Sequence, residues 1–241
     1  MDALIVGAGA VGRWAARFVD GTVAFADADP GAARAAAEDV DDAETASLDG
    51  EEHYDLVCVT VPMRVATEVI SAQAPRADRA VVDCTGSMIA PLAAMADAAP
   101  GRERVSYHPL FAPTYGPGRI AVSADERGPL VDALEAAFEE AGNELVRVGA
   151  DEHDEAMRTI QGRAHAAILA FGLAADDVPD DLATPVYEDL DALRRRVTEG
   201  SPGVYADIQD AFDGAEAVAA AASRLADADR DEFGSLYDDA G

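Results

Sequence analysis

The segment RVSYHPLFAPTYGPG, residues 104–118, contains the side chain best suited to move a proton. His108 is followed directly by Pro109, and Pro113 comes four residues later. Proline has no backbone N–H and fixes φ, so neither a helix nor a central strand can continue through this segment. An imidazole changes its protonation state near neutral pH. The sequence therefore predicts a segment of fixed shape with a candidate general base, His108, at its start.

A second chemical signal is the stretch ALIVGAGAVG at residues 3–12. A short apolar run is followed by glycines at the spacing GxGxxG, and a helical pattern begins at once. In this motif the first glycine allows a tight turn, the second lets backbone approach a pyrophosphate, and the third lets the helix pack on the strand. The free amides at the helix start favour phosphate. We expect the dinucleotide to contact the loop residues Gly7, Ala8, Gly9, Ala10, Val11 and Gly12.

The type of dinucleotide is indicated by an acid at the end of the second predicted strand, residues 22–26. Asp27 is placed to accept hydrogen bonds from the adenosine ribose hydroxyls. A carboxylate there repels the additional phosphate of NADP, and no arginine follows before Arg34. The sequence therefore favours NAD over NADP.

These residues need a framework, and strand patterns alternate with helix patterns over residues 1–149. The predicted strands are residues 3–6, 22–26, 55–61, 80–83, 105–107, 120–122 and 145–148. Such alternation predicts an α/β fold, a doubly wound and mostly parallel Rossmann sheet. Ligands of these sheets bind outside the carboxyl ends of the strands. We therefore expect the strand ends to face one crevice, at Gly7, Asp27, Val61-Pro62, Asp83-Cys84-Thr85 and His108.

Residues 150–241 show helix patterns only, which predicts a second, all-helical domain with helices near 152–174, 185–200 and 203–228. Gln161 and His165 are four residues apart and share a helix face. Taken alone, they fit either a buried helix–helix contact or a binding site. The cluster Arg194-Arg195-Arg196 fits either exposed ion pairs or a clamp for a carboxylate, because guanidinium binds such anions bidentately.

The composition excludes several classes of partner. The chain has 47 acids, 18 bases and no lysine, for a net charge of −29. This charge repels nucleic acid and anionic membranes. Its screening at high salt indicates adaptation to a salt-rich cytoplasm, although an ordinary acidic protein remains an alternative. The chain has no long apolar segment, so we expect a cytoplasmic protein. Cys58 and Cys84 lie in apolar runs and are expected to be free thiols, with no metal site.

The whole chain resembles the prephenate dehydrogenase family, within the 6-phosphogluconate-dehydrogenase-like group. The matching segments, in order, are GAGAVGRWAARF with Asp27, VTVPMRVATEVI, the strand ending at Asp83, HPLFAP, EHDEAMRTIQGRAHAAILAFGLA, ATPVYEDLDALRRRV and GVYADIQ. The glycine motif alone indicates only a dinucleotide. The HPLFAP segment, the helix carrying Gln161 and His165, and the late arginine are together much more specific.

The resemblance implies NAD-dependent oxidative decarboxylation of prephenate to 4-hydroxyphenylpyruvate, a step of tyrosine biosynthesis. His108 matches the catalytic histidine, which accepts the ring-hydroxyl proton. Arg196 matches an arginine that holds a substrate carboxylate, and Gln161, His165 and His153 match polar positions on the substrate side. The resemblance also implies a homodimer formed through the helical domain.

One departure from the family pattern follows Asp83. Many members have Ser-Val-Lys there, whereas this chain has Gly86 and Met88 at the serine and lysine positions. Thr85 or Ser87 is then the candidate to supply the hydroxyl on the substrate side. Two alternatives remain open: an arogenate dehydrogenase, whose substrate has an amino acid side chain, and a dinucleotide-binding protein without turnover.

Overall fold

The computed structural model describes the backbone of residues 1–241 and the side chains of residues 1–179 and 181–241. The chain divides into two compact units, Met1–Asp154 and Glu155–Gly241. From the sequence, we placed the boundary between residues 149 and 150. No helix among the described residues combines the length and apolar character that crossing a membrane requires.

The first unit is built on one eight-stranded sheet. Its strands are β1 Asp2–Val6, β2 Thr22–Ala26, β3 Ala43–Thr45, β4 Tyr54–Val59, β5 Ala77–Cys84, β6 Glu103–Pro109, β7 Arg119–Glu126 and β8 Glu144–Arg147. Their order across the sheet is β3-β2-β1-β4-β5-β6-β7-β8. All neighbours pair in parallel except β6 and β7, which are antiparallel. The predicted mostly parallel Rossmann sheet is confirmed.

Helices cover both faces of this sheet, as expected of a doubly wound fold. They are α1 Ala10–Ala16, α2 Pro30–Asp39, α3 Met63–Gln73, α4 Ile89–Ala98 and α5 Pro129–Glu140. Because side chains alternate along a strand, Ala3 and Ile5 pack with α1, α2 and α5, whereas Leu4 and Val6 pack with α3 and α4. The two apolar layers fix each strand end relative to its neighbours.

The sequence analysis missed α2 and β3. The strand has only three residues, Ala43, Glu44 and Thr45, at the exposed edge of the sheet. An edge strand without an apolar run carries no periodic signal, so only its pairing with β2 defines it.

The second unit is helical, as predicted. The helical segments from the boundary onward are α6 Ala150–Met157, a π-helical turn Arg158–Arg163, α7 Ala164–Ala174, a 3-10 turn Asp180–Leu182, α8 Pro185–Thr198, α9 Pro202–Phe212, α10 Gly214–Asp227 and α11 Arg230–Asp239. The helix predicted over 203–228 is interrupted at Asp213, which adopts a left-handed conformation with φ of 47°. At this break Gly214 packs directly against Gly162 of the π-helical turn, where a Cβ atom would lie 2.0 Å from backbone.

Candidate active site

Five parallel strands, β1, β2, β4, β5 and β6, place their carboxyl ends at one edge of the sheet. The segments that follow the first four of these strands contain the glycine motif, Asp27, Thr60 and Thr85, and His108 lies near the end of β6. The topology therefore brings together segments separated by up to about a hundred residues of sequence, as expected for such a sheet.

The glycine loop is shaped by close backbone contacts that exclude side chains. Gly7 has φ of +105°, and a Cβ atom there would lie 2.6 Å from the carbonyl oxygen of Thr60. A Cβ on Gly12 would lie 2.0 Å from the carbonyl oxygen of Gly7. By contrast, a Cβ on Gly9 would meet no atom within 4 Å. The loop is thus closed on the protein side and open at Gly9, which fits the approach of a dinucleotide pyrophosphate.

Thr60, which the sequence analysis missed, holds this loop in place. Its backbone amide donates to the carbonyl of Val6 at 2.8 Å, and its hydroxyl donates to the carbonyl of Gly7 at 2.7 Å. The position could have been noticed because Thr60 directly follows β4, at the same edge as the glycine motif.

Asp27 lies at the end of β2 and is oriented toward the glycine loop. Its Oδ2 atom accepts a hydrogen bond from the amide of Ala8 at 2.7 Å, and Oδ1 accepts one from the amide of Asp29 at 2.9 Å. A carboxylate has about four lone-pair sites, so both oxygens retain capacity for ribose hydroxyls. The geometry fits the expected role of Asp27.

The other predicted cofactor residues lie within the glycine loop and in the segment between β4 and α3. Ala10 begins α1 and is exposed, and Val11 is half-buried. Val61 packs partly into the core beside α3, and the exposed Pro62 caps the start of that helix.

His108 is buried near the end of β6, where it pairs with Ala121 of β7. Its Nδ1 atom lies 3.0 Å from Nε2 of His153. Burial and the neighbouring His153 lower the pKa of His108 to about 3, although Asp154 acts in the opposite direction. At neutral pH the imidazole is therefore uncharged and able to accept a proton.

His153 connects His108 to a carboxylate. Its Nδ1 atom lies 2.8 Å from Oδ1 of Asp154. The Asp154 carboxylate also accepts hydrogen bonds from the backbone amides of Met88 and Ile89, at 2.9 and 3.1 Å. Burial acts to raise the pKa of Asp154, but the hydrogen bonds from His153 and the two amides lower it below its usual value. The sequence analysis did not single out Asp154, because its partners lie far away in the sequence.

A second buried carboxyl group, Asp83, lies at the end of β5. Its Oδ2 atom accepts hydrogen bonds from the amide and the hydroxyl of Thr85, at 3.0 and 2.5 Å. Burial raises the pKa of Asp83 to about 7 despite these bonds. The hydroxyl of Thr85 thus contacts Asp83, while Ser87 is half-buried and Met88 is completely buried.

The segment after His108 has the fixed shape that its prolines predict. The strand ends at Pro109, and the amide of Leu110 donates to the carbonyl of Arg119 at 2.9 Å. The ring of Phe111 then packs edge-on against Trp14 of α1, with centroids 5.9 Å apart. These contacts hold the segment that follows His108 against β7 and α1.

In the second unit, Gln161 lies within the π-helical turn and His165 on the helix that follows. Single π-helical turns are frequent at functional sites. His165 is half-buried, and its ring lies edge-on to Tyr205 with centroids 5.0 Å apart. Burial lowers the pKa of His165.

The three clustered arginines of α8 differ in their partners. Arg194 and Arg195 both form ion pairs with Asp191, at 2.6 Å each. Arg196 is exposed and forms no ion pair among the side chains that the structure describes. Of the three, Arg196 is therefore the one whose charge is not already neutralised by a carboxylate.

Comparison with known proteins agrees with this geometry. Residues 13–126 match the family model described as prephenate dehydrogenase, nucleotide-binding domain. The chain is 34% identical over 238 residues to a 4-amino-4-deoxyprephenate dehydrogenase of Streptomyces pristinaespiralis, covering 92% of this chain and 80% of the relative. It is 25% identical over 179 residues to a probable arogenate/prephenate dehydrogenase of Methanocaldococcus jannaschii, covering 68% of this chain and 40% of that relative.

The fold is also that of a solved prephenate dehydrogenase from Aquifex aeolicus in complex with hydroxyphenyl propionate and NAD+. The TM-score is 0.72 at 16% identity, with 92% of this chain and 87% of the other covered. This likeness concerns the fold, whereas the Streptomyces relative matches along nearly the whole sequence. The chain has a nucleotide-binding domain and is an oxidoreductase that belongs to the prephenate dehydrogenase family.

Proposed function

We propose that this protein, as a homodimer, catalyses the NAD-dependent oxidative decarboxylation of prephenate to 4-hydroxyphenylpyruvate in tyrosine biosynthesis. The observation that carries the proposal is a buried His108 at the carboxyl edge of the parallel strands, hydrogen-bonded through His153 to Asp154. The homodimer is supported by exposed apolar side chains of the helical unit, which include Leu173, Val186 and Val204.

In the proposed reaction His108 accepts the proton of the ring hydroxyl while the hydride leaves the same carbon. The glycine loop and Asp27 would hold NAD, which would supply the hydride acceptor. The ring carboxylate then leaves as carbon dioxide, its bonding electrons make the ring aromatic, and His108 returns the proton to the ring oxygen. Atoms and charges balance without an additional reactant. A general base must lie within hydrogen-bonding reach of the hydroxyl, which a histidine at the strand end can satisfy.

Two observations favour related substrates. The Streptomyces relative is named for 4-amino-4-deoxyprephenate, in which an amine replaces the ring hydroxyl. His108 would then accept a proton from nitrogen instead of oxygen. The Methanocaldococcus relative is named for arogenate as well as prephenate. Met88 stands where many family members have a lysine, so the substrate side of this chain differs from theirs.

The test is NADH formation with prephenate, arogenate and 4-amino-4-deoxyprephenate, each offered with NAD and with NADP. The acidic, lysine-free chain supports an origin in a salt-rich cytoplasm, so the assay is run at ~2 M KCl, where charge repulsion is screened. We expect turnover with prephenate and NAD. His108→Asn should lower kcat by ~100-fold or more, the scale of general base catalysis.

Other outcomes would change the proposal in defined ways. Turnover only with one of the other two substrates would keep the reaction type and replace the substrate. Retention of full activity by His108→Asn would exclude this residue as the base. Binding of NAD without turnover of any substrate would support a binding protein instead of an enzyme.

We further propose that Arg196 binds a carboxylate of the substrate. Arg196→Gln should raise KM by ~10- to 100-fold, because hydrogen bonds to charged groups are worth about 1.5–3 kcal/mol. The matched control is Arg195→Gln on the same helix, since Asp191 keeps Arg194 as a partner. Equal KM values for the two variants in steady-state assays would contradict the assignment.

A further inference from the structure

His108, His153 and Asp154 form a chain of hydrogen bonds. The ionised carboxylate of Asp154 determines which nitrogen donates at each step. Asp154 is kept ionised by hydrogen bonds from His153, Met88 and Ile89, and an ionised carboxylate can only accept. The Nδ1 atom of His153, 2.8 Å away, must therefore carry the hydrogen.

The protonation of His153 determines, in turn, which nitrogen of His108 is the donor. An imidazole that carries its one hydrogen on Nδ1 has a bare Nε2, so Nε2 of a neutral His153 is an acceptor. The Nδ1 atom of His108 lies 3.0 Å from it and must be the donor. In neutral His108 the lone pair is then on Nε2. The carboxylate of Asp154 thus determines, through one intervening imidazole, which nitrogen of His108 is basic.

We propose that Asp154 and His153 are positioning residues with two roles. They fix His108 as the Nδ1–H tautomer, and they hold the positive charge of the proton taken from the substrate until a proton returns to the ring oxygen. The second part rests on the proposed function. His153, which the family resemblance placed on the substrate side, acts in this proposal through His108.

The proton movements of the proposal balance. The substrate O–H bond breaks as a bond forms to Nε2 of His108, and the Nδ1 hydrogen of His108 moves to Nε2 of His153. The positive charge then lies on His153, in hydrogen-bond contact with the Asp154 carboxylate, instead of on His108. When carbon dioxide leaves, both movements reverse. Transfer of the charge toward a carboxylate offsets the cost of creating a cation in a buried site.

The titratable groups with a described contact or charge interaction in this chain of hydrogen bonds lie on two elements besides β6. His153 and Asp154 lie on α6, and Asp83 lies at the end of β5, where its charge would act on Asp154. Because burial raises the pKa of Asp83 to about 7, this group is mostly protonated below that pH. A protonated Asp83 then adds no negative charge beside Asp154.

The alternative is a purely structural role, because Asp154 also binds the amides of Met88 and Ile89 at the start of α4. The tautomer of His108 in Asp154→Asn distinguishes the two roles. Met88 donates to Oδ1, which also contacts His153, and Ile89 donates to Oδ2, so an asparagine whose nitrogen replaces Oδ1 keeps the bond from Ile89 and loses the one from Met88. It cannot be ionised, and its amide nitrogen can donate to Nδ1 of His153. We expect this donation to reverse both tautomers, so that His108 carries its hydrogen on Nε2.

The experiment is nitrogen NMR of the full-length protein with labelled histidine, without substrate, since the shifts of the two ring nitrogens report the tautomer. The chain contains only four histidines, which simplifies assignment. We expect Nδ1–H at His108 and His153 in the wild type and Nε2–H at His108 in Asp154→Asn. In the same variant kcat should fall ~100-fold with KM changed less than ~3-fold. Asp151→Asn, an exposed acid on the same helix, is the matched control and should change neither quantity.

His153→Gln tests the charge-holding part by itself. Glutamine can donate to Asp154 and accept from His108, so the tautomer of His108 is preserved, but an amide cannot hold the proton. We expect an unchanged His108 spectrum and a ~10-fold lower kcat. Unchanged kcat would overturn charge holding, and an Nε2–H tautomer of His108 in the wild type would overturn the positioning role. The expected tautomers without turnover of any substrate would instead contradict only the proposed function and the charge holding that rests on it.

Discussion

The glycine loop and the histidine cluster lie at the same edge of one sheet, but they are stabilised differently. The loop, residues 7–12, is defined by backbone contacts within six consecutive residues and by Thr60. The cluster of His108, His153 and Asp154 joins residues 45 positions apart and depends on buried titratable side chains. The loop depends on the space between backbone atoms, whereas the cluster depends on which of its side chains are protonated.

This difference determines how each region should respond to change. The glycine loop should lose stability when an atom is added, and its stability should not depend on pH. The histidine cluster should keep its fold after replacement by a side chain of the same shape, but its stability should depend on pH.

The largest effect is expected for the steric region. In Gly12→Ala the new Cβ would lie 2.0 Å from the Gly7 carbonyl and 2.8 Å from the Thr60 hydroxyl. We expect the free energy of unfolding to fall by about 3 kcal/mol, the upper range for overpacking. Gly9→Ala is the matched control, because its Cβ would meet no protein atom within 4 Å. It should unfold like the wild type yet bind NAD ~10-fold more weakly, since the methyl enters the space left for the pyrophosphate.

Thermal unfolding without cofactor and calorimetric titration with NAD measure the two effects separately. If Gly9→Ala lost as much stability as Gly12→Ala, the loop would not be closed on one side only. If Gly9→Ala bound NAD normally, the pyrophosphate would lie elsewhere.

A smaller effect is expected from pH at the electrostatic region, with opposite signs for two groups. The folded pKa of His108, about 3, lies below its usual value of 6.5. Its contribution to stability is therefore complete above pH 6.5 and is lost as pH falls toward 3. The folded pKa of Asp83, about 7, lies above its usual value of 3.8. Its contribution is present below pH 3.8 and is lost as pH rises through 7.

Asp83→Asn should therefore gain thermal stability relative to the wild type as pH rises from 5 to 8, by roughly 5–10 °C in Tm. The exposed Asp97→Asn on α4 is the control and should follow the wild type. A constant difference between Asp83→Asn and the wild type across this range would mean that Asp83 is ionised throughout.

The comparison also explains what the sequence could predict. The glycine motif, Asp27 and the proline-flanked His108 are local patterns, and the alternation of strands and helices was sufficient to place them at one sheet edge. Asp154 was not predicted, because its role depends on the amides of Met88 and Ile89, more than sixty residues earlier. The break at Asp213 was not predicted either, although Asp213-Gly214 is a dipeptide typical of turns. The packing of Gly214 against Gly162, which accompanies the break, is not visible in the sequence.

Trp14 connects the two regions. It lies on α1, which begins at the end of the glycine loop, and it contacts Phe111, three residues after His108. Its indole also stacks on Phe138 with a centroid distance of 5.4 Å. Because the chain has a single tryptophan, all indole fluorescence originates at this junction. The emission spectrum is thus an intrinsic optical probe that responds to rearrangement of either the loop or the segment after His108, without any attached dye.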